Sequence, residues 1–142
     1  MKIIRMIEIN QPIGTFYIGK MSSTDVINIS KVSQRDSMGG HQRQLKNVRA
    51  KEIATYCTDP DATFPTPVIL AVSEDDFIPV RSDNSDFVSF EYDETKVIAE
   101  ILDGQHRIAG ISAAADKEFE LPVVVMFTSL DKGTQPFVVC DG

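Results

Sequence analysis

Ile3 to Ile9 is rich in isoleucine, and Gly14 to Lys20 alternates around aromatic and β-branched residues, with Gln11-Pro12 as a break between them. This pattern predicts a pair of strands. From Ser22 to Val32 the apolar residues Val26, Ile29 and Val32 recur every three positions, which predicts a short helix capped by Ser23 or Thr24. Ser33 to Gln44 is polar and glycine-bearing with no period, and reads as a loop. Leu45 to Cys57 places Leu45, Val48, Ile53 and Tyr56 near one helical stripe, predicting an amphipathic helix that Asp59-Pro60-Asp61 ends.

Phe64-Pro65-Thr66-Pro67 must run extended, because a residue before proline avoids helical geometry. It leads into Val68 to Val72, an unbroken apolar run expected to be an interior strand covered on both faces. Glu74 to Phe87 is acidic and turn-rich. Val88 to Tyr92 alternates, Asp93-Glu94-Thr95 turns, and Lys96 to Leu102 resumes as a strand, so a hairpin is expected there. A helix from Gln105 to Lys117 and a buried strand from Leu121 to Phe127 follow. The order predicts an α+β fold, a mixed β-sheet with packed helices. Residues 1–130 read as one domain and 131–142 as a C-terminal tail, where either Phe137-Val138-Val139 is a last edge strand or the chain is a fragment of something longer.

Composition narrows the classes. The 142 residues are 42% hydrophobic and 25% charged, as in globular chains rather than disordered ones. Apolar runs such as Val123 to Phe127 fall far short of the roughly 20 residues of a membrane span. Glu8, Asn10, Gln11 and Pro12 interrupt the N-terminus before a signal-peptide core forms, and the two cysteines, Cys57 and Cys140, lack disulfide or zinc spacing. A cytoplasmic protein is expected. With 14 Lys and Arg against 21 Asp and Glu, the net charge of -7 opposes non-specific attraction to nucleic-acid phosphates, so any such contact needs a local patch or a partner.

The candidate chemistry lies at Asp103-Gly104-Gln105-His106-Arg107, a polar turn between a predicted strand and a predicted helix. A helix start exposes backbone N–H groups and the positive end of the dipole, both of which favour phosphate. Gly104 permits a left-handed turn and close backbone approach, and Arg107 offers a planar fork for two phosphate oxygens. Imidazole titrates near neutrality, so His106 suits donation to a phosphate or proton transfer. The competing reading is ordinary: Asp103 as an N-cap, Asp-Gly as a turn, and a polar first helical turn. His41 is a candidate partner of His106, although a loop histidine is more often simply solvated. Asp75-Asp76 and Asp83 to Asp86 lack calcium-loop spacing and read as a solvated acidic loop, and Cys57 reads as packed.

Ile101 to Ile111 resembles the signature of the DGQHR-domain family, with all five motif residues present at Asp103 to Arg107. Gly40-His41-Gln42-Arg43, Arg49, Ile53, Tyr56 and Phe64 to Leu70 resemble its other blocks in order, so the resemblance spans about Gln11 to Leu130. That family includes regulators associated with DNA phosphorothioate modification and is similar to the ParB/sulfiredoxin-like group, whose members bind nucleoside triphosphates or act on DNA. The resemblance implies a pocket lined by Asp103, Gly104, Gln105, His106 and Arg107, with Gln42 and Arg43 as second candidates and Arg43 closing over a phosphate. It implies a nucleoside triphosphate with Mg²⁺, and as partners DNA and the proteins of a modification or defence system. In an NTPase or nuclease of this kind, Asp103 caps the helix or helps hold Mg²⁺, Gln105 orients water, His106 is the acid or base, and Arg107 and Arg43 neutralise charge. The alternatives are a non-enzymatic DNA-binding transcriptional regulator and an inactive truncated domain, the latter because family members continue into a helical portion that the stretch after Leu130 does not resemble.

Overall fold

The computed structural model describes residues 1–32, 40–83, 86–114 and 117–128, with the backbone alone for 32, 40–47 and 81–83. The elements are β1 (Lys2–Gln11), β2 (Gly14–Ser22), α1 (Ser23–Ile29), β3 (Ser30–Val32), α2 (Gly40–Tyr56), β4 (Val68–Val72), β5 (Ile78–Asp83), β6 (Phe87–Tyr92), β7 (Ala99–Asp103), α3 (Gln105–Ala113) and β8 (Glu120–Phe127). The strands form one mixed sheet in the order β3-β7-β4-β8-β2-β1-β6-β5. The α+β class with a mixed sheet is therefore what the pattern predicts.

Alternation explains which sheet face is covered. Leu121, Val123 and Val125 of β8, Val68, Leu70 and Val72 of β4, and Ile4 and Met6 of β1 are buried, and Val26 and Ile29 of α1 and Ile108 and Ile111 of α3 join the same core. The strand pair β1–β2 forms as expected, with Ile7 opposite Ile18 and Gln11 opposite Gly14. The apolar run of β4 does lie inside the sheet, antiparallel to β7 and parallel to β8. Towards the other end of the sheet the core is aromatic: Phe77 stacks on Phe90 at 4.9 Å and on Tyr92 at 5.6 Å, and Tyr17 meets Phe90 edge-on at 4.8 Å.

Five expectations are corrected. The hairpin joining 88–92 to 96–102 does not form; β6 pairs with β1 and β5, whereas β7 pairs with β3 and β4. The Asp93 carboxylate accepts from the Thr95 amide and hydroxyl, making a local turn, and the Ile98 amide then donates to the Ile29 carbonyl, drawing the chain towards α1 and β3. Glu74 to Phe87 is not all turn, for β5 pairs with β6, and Pro79 is tolerated because β5 is the sheet's edge strand. The first helix stops at Ile29 and 30–32 become β3 beside β7; its cap is Ser22, whose Oγ accepts from the Asp25 amide, rather than Ser23 or Thr24. The second helix begins at Gly40 rather than Leu45, so 40–44 are helical, while 33–39 of the expected loop lie outside the described residues. The third helix ends at Ala113, where the non-helical Ala114 amide closes on the Gly110 and Ile111 carbonyls. The tail strand expected at 137–139 also lies outside the described residues.

Candidate functional site

The 103–107 turn is built where β7 ends and α3 begins. Asp103 is the last residue of β7, half-buried and paired with Ile69 of β4, next to a register shift between Ile69 and Leu70. It is not the helix cap. Gly104 takes that position, buried and left-handed at φ 103°, and no side chain caps α3. Positive φ and lack of space both demand glycine here: a Cβ would lie 3.2 Å from Arg107 Nη2 and 3.2 Å from Val68 Cγ2. The sharp strand-to-helix turn therefore arises from one residue type at one position.

Arg107, in the first turn of α3, reaches the extended segment ahead of β4. Its Nη1 donates to the Thr66 carbonyl and, at 2.9 Å, to Thr66 Oγ1, while Nη2 donates to the Pro67 carbonyl at 3.1 Å. Proline at 65 and 67 keeps this segment extended and its carbonyls available. Three of the five guanidinium donors are so used, leaving one N–H on Nη2 and the N–H of Nε for another acceptor. Thr66 is the neighbour of Arg107 that sequence reading did not single out, although it sits in the Phe64-Pro65-Thr66-Pro67 block. The Gln105 side-chain amide turns back to the Ile101 and Leu102 carbonyls at 3.4 and 3.3 Å, and His106 is half-buried beside it.

The second group of candidates lies on α2, which packs on α3. Gly110, with no side chain, lets α2 and α3 touch, since a Cβ there would lie 2.5 Å from Ile53 Cβ and 2.9 Å from the Ala50 carbonyl oxygen. The Tyr56 ring meets Phe64 and Phe64 meets Phe119, so the C-terminal end of α2 packs on the extended segment ahead of β4. Gln42 and Arg43 lie in the first turn of α2, and their side chains, like that of His41, are outside the described residues. The stripe expected for this helix is only partly inward: Ile53 packs, whereas Val48 and Tyr56 are 52% and 40% exposed.

Among the described residues no three His, Cys, Asp or Glu side chains come together. A cleft of about 250 Å³, lined by Lys31, Val72, Ser73, Asp76, Glu100 and Thr128, opens elsewhere. Val72 pairs with Ala99 and Ile69 with Asp103, so cleft and motif occupy opposite ends of the β4–β7 pair. Cys57 is buried, and desolvation pushes its thiol above the ordinary range, in keeping with a packed side chain rather than a nucleophile. No helix among the described residues is long and apolar enough to cross a membrane.

Residues 4–137 match a family model described as DndB, DNA-sulfur modification-associated. No curated protein and no solved structure matches the chain.

Proposed function

Because the chain belongs to the DndB family of DNA-sulfur modification-associated proteins, we propose that it binds DNA phosphate within such a modification system, with the turn from Gly104 to Arg107 as the phosphate seat. The observation that carries this reading is the pairing of the cap-free, left-handed Gly104 with an Arg107 guanidinium fixed in place and keeping two donors. The Thr66 and Pro67 carbonyls orient the fork, so its ordering cost is met before a ligand arrives. The positive end of α3 adds to the attraction. Assignment to the DGQHR-domain, ParB/sulfiredoxin-like group belongs to the same reading, as do Asp103, Gln105 and His106 as phosphate-proximal groups and Gln42 and Arg43 on the adjoining helix.

The test is fluorescence anisotropy of the chain with a labelled DNA duplex, and with ATP and GTP in Mg²⁺, for wild type, Arg107→Lys and Arg107→Ala. Removing a charge-assisted hydrogen bond is expected to weaken duplex binding by about 1.5–3 kcal/mol, or roughly ten- to over a hundredfold. Arg107→Lys should recover part, because an ammonium keeps the charge and loses the fork. Equal binding by wild type and a folded Arg107→Ala would reduce Arg107 to a structural tie. Binding of nucleotide without duplex would favour the NTPase alternative.

A further inference from the structure

We infer that α2 is the surface along which duplex DNA lies, an inference that rests on the phosphate-seat reading and names the rest of its interface. The chain's charge is segregated. Four of its 14 Lys and Arg, namely Arg43, Lys46, Arg49 and Lys51, and one of its 21 Asp and Glu, Glu52, fall within the 17 residues of α2. The helix therefore carries +3 while the remainder of the chain carries -10. An acidic protein that meets a polyanion does so where its cations are concentrated, and this helix is such a place.

Arg43, Lys46 and Arg49 recur every three positions of the helix, and Lys51 lies on the opposite flank from Arg49. The described cations of α2 are also uncommitted. Arg49 and Lys51 flank Ala50, both are exposed, and among the described residues neither has an ion-pair partner. Elsewhere Lys2, Lys20 and Lys96 are paired with Asp25, Glu120 and Asp93 and Arg5 stacks over Phe87, while Lys31 and Lys117 are exposed singly, far apart in sequence from each other. Finally, the contact of Ala50 and Ile53 with Gly110 docks this helix on α3, the helix that begins at the 103–107 turn. The basic helix and the phosphate seat thus belong to one side of the molecule. Duplex DNA, rather than an acidic protein, is the occupant that the family's association with DNA modification favours.

The experiment is anisotropy with a labelled duplex of about 20 base pairs over a salt series, using the full 142-residue chain. The variants are Arg49→Gln with Lys51→Gln, Arg49→Glu with Lys51→Glu, Lys96→Gln as an off-surface control, and Arg107→Lys; thermal melts check folding. The glutamine pair should bind at least tenfold more weakly, the glutamate pair more weakly still, and Lys96→Gln like wild type. The slope of log affinity against log salt should flatten by about 0.9 for each phosphate that a variant no longer neutralises. If wild type binds and Arg107→Lys weakens binding while both α2 pairs retain affinity and slope, the surface assignment is wrong and the phosphate seat stands. If wild type binds no duplex at any salt, both fall. Equal competition by a polyglutamate chain of matched charge would overturn duplex DNA as the occupant and point to an acidic protein.

Discussion

A guanidinium that holds two consecutive backbone carbonyls braces the turn, and experiment separates that bracing from the phosphate contact proposed for Arg107. Its bonds to Thr66 and Pro67 brace the turn, so Arg107→Ala should lower stability as well as binding, and the two effects are read apart by melting the protein with and without duplex. Gly104 is the sharper single-residue case. At φ 103° and with Val68 and Arg107 both 3.2 Å from any added Cβ, Gly104→Ala is expected to cost about 1–3 kcal/mol in urea unfolding. Gly14→Ala, at φ 139° with nothing within 4 Å, carries the backbone cost without the clash and should cost less. Away from the site, Tyr92 is 3% exposed and its hydroxyl donates to Asp25 at 3.4 Å. Burial first, then the charge of Asp25, push this phenol well above its ordinary value of about 10. In the unfolded chain Tyr92 ionises near pH 10 while the folded one stays protonated, so the stability it contributes is intact below pH 10 and declines as pH rises beyond it. Chemical unfolding between pH 8 and 11 should show that decline, and Tyr92→Phe should flatten it; an identical slope in the variant would place the alkaline sensitivity elsewhere.

Among the elements, the contact of α2 with α3 depends on the missing side chain at Gly110. Gly110→Ala places a methyl 2.5 Å from Ile53 Cβ and 2.9 Å from a backbone carbonyl, so α2 must move, and an overpacking cost of about 1–3 kcal/mol is expected in thermal unfolding. An unchanged melting temperature would show that the helices are not in contact there. This site was legible only in part. The small residues of α3 did announce close packing, and Ile108 and Ile111 at helical spacing are buried as their period implies. The stripe on α2 misled, because the inward positions are Ala50 and Ile53, three apart, and Val48, five positions or about 140° from Ile53, turns outward. Likewise the Asp103-Gly104 stop and the helix start at Gln105 were readable from the change of period, whereas the cap identity was not: Asp and Gly are both turn residues, and the left-handed backbone at 104 decides for glycine. The tie from Arg107 to Thr66 spans 41 positions, a partnership that no local pattern encodes.

At the scale of the whole molecule, local signals say that a segment is a strand and leave its neighbours open. The strands β6 and β7 are separated by a turn-rich stretch, which makes a hairpin the natural expectation, and yet four strands lie between them in the sheet. Contacts distant in sequence draw the two strands apart: Phe90 and Tyr92 stack on Phe77, which precedes β5, whereas the Ile98 amide donates to the Ile29 carbonyl and sets β7 beside β3. Engineered disulfides distinguish the two arrangements, because a disulfide needs Cα atoms about 4.4–6.8 Å apart. In a background with Cys57→Ala and Cys140→Ala, Ile3→Cys with Glu91→Cys joins residues directly opposite in the β1–β6 ladder and should oxidise readily. Ser89→Cys with Ala99→Cys would face each other in the hairpin, but in the sheet Ser89 lies opposite Arg5 and Arg81, and Ala99 opposite Ser30 and Val72. That second pair should stay reduced in the folded protein under mild oxidant, as read by thiol titration and non-reducing mass analysis. Ready closure of the 89–99 pair without the 3–91 pair would overturn the strand order, and with it the placement of β7 beside β4 on which the 103–107 turn depends.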